Sequence, residues 1–242
     1  MAGRMIFIIF LALVSAGFTV NNNSTVTTLV TRAFDRGTRV LLYTEERKQT
    51  DQPDRPGIWN FTYKNAQGET IVKRHVNFER DPIKPDFRLD DLRTGYAEGA
   101  EVTGSMIRVF TGGSPDDPYQ EKILSVPEPA IIDAGFNFLV EKNWVKLMKG
   151  ELLTFNFVAP SQLDYFSFRV YKKRDIVHQN RPAVMLHMDI DNFFLRLFVE
   201  AIHLTYDTES RKLVVYDGIS NIYNDDGKSH KVRMEFNYQA VE

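Results

Sequence analysis

Three features of the amino-acid sequence predict a mainly β protein: long stretches that alternate with period two, an aromatic content of 18 Phe and 10 Tyr, and a single segment with helical periodicity. The expected architecture is a single curved antiparallel sheet, a half-barrel or lipocalin-like barrel, of about ten strands wrapping one helix near residues 133–149. The absence of a βαβ rhythm argues against a parallel sheet.

The chain begins with Arg4 ahead of "MIFIIFLALVSA", an apolar run closed by small residues. This pattern predicts a secretory signal peptide over residues 1–16, shorter than the ~20 residues of a membrane span, and leaves 17–242 as one β-rich domain. Residues 17–36 are compatible with either a short helix or a first strand. "TRVLLYTEERK" reads as a strand, and "QTDQPDRPG" as a loop. "IWNFTYKNAQGETIVKRHVNFER" reads as a hairpin, with Trp59, Phe61 and Tyr63 on one face and Thr70, Val72, Arg74, Val76 and Phe78 on one face of the return strand. "DPIKPDFRLDDLRTGYAEGAE" (residues 81–101) is polar and too long for a hairpin turn, which suggests a lid or a solvated insertion. "SMIRVFTG" and "YQEKILSV" are the next expected strands.

The helix follows in "DAGFNFLVEKNWVKLMKG". Asp133 is the expected N-cap and Gly150 the expected residue after the C-cap, with Lys146 and Lys149 in the last turn. At ~100° per residue, Phe136, Val140, Trp144 and Leu147 fall on one stripe, flanked by Leu139 and Met148. Beyond it, Leu153, Phe155 and Phe157 share a strand face, as do Phe166, Phe168 and Val170. "AVMLHMDID", "FFLRLFVEAIHLTYD", "KLVVYDG", "SNIYND" and "SHKVRMEFNYQ" complete the strands, and "NDDGK" is a hairpin turn.

Composition bounds the function. At 242 residues and 43% hydrophobic the chain can bury a large core, and its formal charge of −2 gives no electrostatic footprint for nucleic acid. It has no Cys, which excludes thiol catalysis and disulfides. With an export signal, this composition suits a bacterial periplasm, or secretion. G-x-S-x-G, G-x-G-x-x-G, H-E-x-x-H and a complete phosphate-binding loop are missing, and the EF-hand spacing fails at Ile222. No cofactor is expected. The one suggestive polar cluster is "HMDID", where His187, Asp189 and Asp191 share a strand face ~6–7 Å apart. They would serve a metal-dependent or acid–base hydrolase only if turned inward beside a pocket. Otherwise they are the solvated side of a strand whose Leu186, Met188 and Ile190 face the core.

The stretches "IIDAGFNFLVEKNWVKLMKGE", "LLTFNFVAPSQLDYFSFRV" and "LTYDTESRKLVVYDGISNI" resemble a family of uncharacterised exported bacterial β-rich proteins. In fold these are similar to the lipoprotein-carrier half-barrels of the Gram-negative envelope. The resemblance covers about a third of the chain and implies an envelope location and the handling of an acyl chain or other apolar ligand.

Together these observations lead to the expectation of a periplasmic, non-enzymatic binding protein for a lipid or other hydrophobic small molecule. Phe136, Val140, Trp144, Phe155, Phe157, Phe166 and Phe168 would line its site. The alternatives are the hydrolase built on His187, Asp189 and Asp191, and an envelope assembly protein with a filled core and a protein partner.

Overall fold

The computed structural model describes residues 25–52, 55–113, 119–224 and 227–238. The expected signal peptide lies outside them. Among the described residues no helix is long and apolar enough to cross a membrane.

The chain is mainly β, as its alternation predicts, but with fifteen strands among the described residues rather than about ten. The first eight are β1 (Thr25–Asp35), β2 (Leu41–Gln52), β3 (Arg55–Asn65), β4 (Thr70–Asn77), β5 (Asp86–Asp91), β6 (Ala97–Thr103), β7 (Met106–Gly112) and β8 (Gln120–Leu124). Next come the short β9 (Ala130–Ile132), a 3-10 turn (Asp133–Gly135) and the helices α1 (Phe136–Lys142) and α2 (Trp144–Met148). The chain finishes with β10 (Leu153–Ala159), β11 (Asp164–His178), β12 (Arg181–Ile190), β13 (Ile202–Asp207), β14 (Leu213–Tyr223) and β15 (Ser229–Phe236).

All fifteen form one sheet in the order 8-7-6-5-4-3-2-1-15-14-13-12-11-10-9. β1 lies between β2 and β15, so the sheet grows outward from its own N-terminal strand in both directions. Its edges are β8 and β9, which are nearly consecutive in sequence. Laid flat, fifteen strands would span about 65 Å at ~4.8 Å each. The six residue steps from Leu124 to Ala130 reach at most ~20 Å. The sheet must therefore roll up until its edges approach, which is the curvature the sequence predicts.

Every strand pair is antiparallel except β9 with β10, where Asn156, Phe157 and Val158 pair in parallel with Ala130, Ile131 and Ile132. A parallel neighbour needs a crossover of a dozen or more residues. The helical segment is that crossover, and the rolled sheet gives it an interior to fill. Phe136, Ala134, Val140 and Leu147 are fully or almost fully buried, and Trp144 is buried against Tyr206 at 6.0 Å between ring centroids. Phe138 meets Phe78 and Trp59 at 5.4 and 6.0 Å. The Tyr206 hydroxyl donates to Asn137 Oδ1 at 2.7 Å, which ties α1 to β13.

Five local expectations need correction. "QTDQPDRPG" is not a loop: its described residues, 49–52 and 55–57, belong to β2 and β3, because the turn chemistry is confined to the middle of the stretch. The helix is not one continuous piece: the Asn143 side-chain amide donates to the Leu139 carbonyl at 3.0 Å and competes with the helical ladder there, separating α1 from α2. Asp133 is not the N-cap: Ile132 precedes the 3-10 turn and Gly135 holds that place for α1, while Asp133 sits at φ +45° with its carboxylate toward Arg74. Residues 81–101 are not one long insertion but contain β5 and most of β6. Phe87 and Leu89 face inward there and Arg88 and Asp90 outward, a short alternation masked by the upstream prolines. Finally, residues 193–201 are not strand. They form a loop with a 3-10 turn at Leu195–Leu197 before β13 begins at Ile202. Residues 25–35, ambiguous in sequence, are strand. Gly150 ends the helix at φ +83° as expected.

Gly135 sits where the helical entry touches the 78–85 connection. A Cβ there would lie 2.0 Å from the Ile83 carbonyl oxygen, whereas one on Gly150 would meet open space. Gly135→Ala is expected to cost more than ~2 kcal/mol in urea unfolding, and Gly150→Ala about 1 kcal/mol for its backbone strain alone. Equal midpoints for the two variants would disprove the tight contact.

Candidate functional site

The seven residues expected to line a ligand site all lie on the helix and on the β10–β11 hairpin facing it. Phe136, Val140, Trp144, Phe155, Phe157 and Phe168 are buried, and Phe166 is partly buried against the same cluster. Their rings touch one another: Phe136 with Phe155 at 5.4 Å, Phe155 with Phe168 at 6.0 Å and Phe157 with Phe168 at 6.3 Å.

His187, Asp189 and Asp191 do not converge on an inward pocket. Leu186, Met188 and Ile190 take the inner face of β12, which places His187 and Asp189 outside. Asp189 is clasped by Arg169 through Nε at 2.5 Å and Nη2 at 3.0 Å. Burial pushes its carboxyl up, and the Arg169 and His187 partners more than reverse this, for a net lowering. His187 lies between Asp189 Oδ2 and His203 Nε2, each at 3.2 Å, and Asp191 is exposed beyond the end of the strand. Among the described residues no group of three or more His, Asp or Glu is arranged to hold a metal ion.

The barrel interior carries charge that the sequence reading did not single out. Glu45, Arg47 and Gln49 alternate with Thr44, Glu46 and Lys48 along β2, and it is the first set that is buried. Arg74 is fully buried, lies 3.8 Å over the Phe61 ring and donates to Asp133 Oδ1 at 3.3 Å. Glu98 Oε2 accepts from the Tyr96 hydroxyl at 2.6 Å, while Oε1 is buried without a partner. Burial, opposed by the Tyr96 hydrogen bond and reinforced by Asp133, lifts Glu98 from 4.5 to about 8. Burial likewise raises Glu45 and Asp133. The clue in the sequence was Arg74 itself, an ionic residue within the inward row Val72, Val76, Phe78.

The most exposed apolar surface is the 191–201 loop. Phe193, Phe194, Leu197 and Phe198 are 66%, 73%, 69% and 79% exposed. Between and beside them, Leu195 packs against the core and Val199 is buried in it, so the loop is anchored on one side and bare on the other. Five of its amides are satisfied from within. The Leu195 amide donates to Asn192 Oδ1, and the amides of 196 to 199 donate to the carbonyls of Asn192, Phe194, Leu195 and Leu195. At its base Glu200 accepts from Arg36 at 2.7 Å and from Lys231, and these cations hold its carboxyl below the usual range. Arg196 lies 5.9 Å over the Phe193 ring. The sequence signal was the failure of alternation: in "FFLRLFV" six of seven residues are apolar, which does not suit a strand with one wet face.

Two measurements test the interior charges. Because Glu98 binds its proton more tightly when folded, its contribution is most favourable below pH 4.5 and is lost as pH rises toward 8. Glu98→Gln is expected to flatten that decline in unfolding free energy; parallel pH profiles for parent and variant would contradict it. Arg74→Met, which leaves Asp133 buried without a counter-charge, is expected to cost ~3–5 kcal/mol, and adding Asp133→Asn to recover part of the loss. Additive destabilisation in denaturant melts would show that the pair is not coupled.

No protein-family model matches the chain, and no curated protein does either. Among solved structures it is similar to a β-barrel-like protein of a domain of unknown function, DUF1849, from Brucella abortus, at 9% identity and a TM-score of 0.45, over 94% of this chain and all of the other.

Proposed function

We propose that this chain is a non-enzymatic protein of the bacterial envelope that binds lipid, and that it does so by seating the 191–201 loop in a bilayer surface. The carrying observation is the set of four large apolar side chains within six residues, 66–79% exposed on a braced turn. Exposed apolar clusters of this kind mark interaction sites. A bilayer cannot satisfy backbone polar groups, and the amides of 195 to 199 need nothing from it. Arg196 supplies a cation that can reach phosphate headgroups while Phe193 and Phe194 enter the acyl boundary. Full burial gains about 1.5–3 kcal/mol per large apolar side chain, so four give on the order of 6 kcal/mol or more before ordering costs. That suits reversible attachment rather than permanent anchoring. The expected export signal of residues 1–16 supports a site of action beside a membrane.

The ring-packed core favours a second reading, an envelope assembly protein with a filled core whose loop meets a protein instead.

Vesicle flotation separates the two. The mature chain is expected to float with phosphatidylcholine vesicles, and more completely when phosphatidylglycerol is included. A Phe193→Ser/Phe194→Ser/Leu197→Ser/Phe198→Ser variant with unchanged circular dichroism should stay at the bottom of the gradient. Parent protein that ignores both vesicle types, or a variant that floats equally well, would rule out the lipid-seating loop.

A further inference from the structure

The edges of the rolled sheet do not pair with each other, and a second feature arises at this seam. The connections 78–85 and 125–129, the helix and the start of β10 meet there around a cleft of about 570 Å³. It belongs to the barrel rim that carries the 78–85 turn, whereas the 191–201 loop rises from the other rim.

The cleft has an apolar floor and a charged rim. Ile83, Leu139 and Leu153 form the floor, and Leu152, 49% exposed, extends it to the surface. The two acidic groups at the rim, Asp81 and Glu128, both face Lys84, at 3.7 and 2.5 Å. The remaining two charges are Lys142, at the end of α1, and Lys146, in α2; both are exposed and make no ion pair among the described residues, with Lys142 contributing at longer range to holding the Glu128 carboxyl below its usual value. Two like charges on one lip repel each other, and an anion placed between them relieves that repulsion. Apolar floor and cationic lip face the same space.

We propose that the seam cleft binds a single-chain anionic amphiphile of the fatty-acid class. Its carboxylate sits between Lys142 and Lys146, and its alkyl chain lies along Leu139, Leu152 and Leu153. This site is separate from the bilayer-seating loop and goes beyond that proposal, since it holds one molecule rather than a surface. A pocket of a few hundred cubic ångströms with few, well-placed charges is the usual form of a small-molecule site. No bond is made or broken.

The test is titration calorimetry of the mature chain with laurate below its micelle concentration, against dodecyl maltoside as the neutral amphiphile and inorganic phosphate as the tailless anion. Laurate is expected to bind at least about tenfold more tightly than either control. Lys142→Glu/Lys146→Glu should lower laurate affinity by about tenfold or more, and Leu152→Asp should weaken it while leaving the lysines in place. All three positions are exposed or half exposed, so folding is checked simply by melting temperature. Equal affinity for laurate and maltoside, equal affinity for laurate and phosphate, undiminished laurate binding by the lysine variant, or no heat with laurate would each overturn the proposal. The lysine variant should still float with phosphatidylcholine vesicles, and the loop variant should still bind laurate, so either site can fail without the other.

Discussion

The structure depends on one geometric constraint. A fifteen-strand meander has its two edge strands separated by only the 125–129 linker, so the sheet is obliged to roll. A rolled sheet encloses volume, and a protein interior must be filled to crystal-like density. The parallel placement of β9 beside β10 supplies the filler, because the crossover it requires is long enough to be helical and passes through the enclosed space. Topology, curvature and core packing are thus aspects of the same arrangement. The rings of Trp59 in β3, Phe78 just past β4, Phe155 in β10 and Tyr206 in β13 meet the helical segment directly, and that contact makes the helix a structural member of the barrel.

The same roll traps charge. An inward row of strand positions in an open sheet would find water, but once the sheet closes over the helix, Glu45, Arg47, Arg74 and Glu98 lie inside. The structure meets the cost in part by direct pairing, as between Arg74 and Asp133, and in part by favouring the neutral form, since burial lifts the Glu98 carboxyl to about 8. Arg74 also joins the sheet to the first residue of the helical crossover. Asp133 holds a left-handed backbone conformation at that junction, a strain that the surrounding contacts must sustain.

The proposed functions occupy places where the rolled sheet is incomplete. The 191–201 loop rises from one rim and turns four apolar side chains to solvent while the amides of 195 to 199 bond within it. The seam cleft lies where the linker between the edge strands meets the 78–85 turn, the helix and the start of β10. The wall and core provide rigidity, and the interaction surfaces lie on connections between strands, where side chains are released from the inward and outward alternation of the sheet.

The sequence by itself determined the β class, the rolled single sheet, the inward faces of β3, β4, β10 and β11, and the position and apolar stripe of the helix. These follow from periodicity and turn chemistry, which are local. It missed the strands of 81–101 because Phe87 and Leu89 offer only two inward residues amid charge. It misread Asp133 because a good capping residue is also a good partner for a buried arginine, and only the arrival of β4 settles which role prevails. It read 193–198 as strand because apolar residues are expected inside. Tertiary structure alone decided that Leu195 and Val199 reach the core while Phe193, Phe194, Leu197 and Phe198 cannot, since β12 and β13 already fill the wall beneath them. Likewise, no local pattern brings Ile83 and Lys84 of the 78–85 turn beside Leu139 and Leu153: that neighbourhood exists only after strands distant in the sheet are brought together by its curvature.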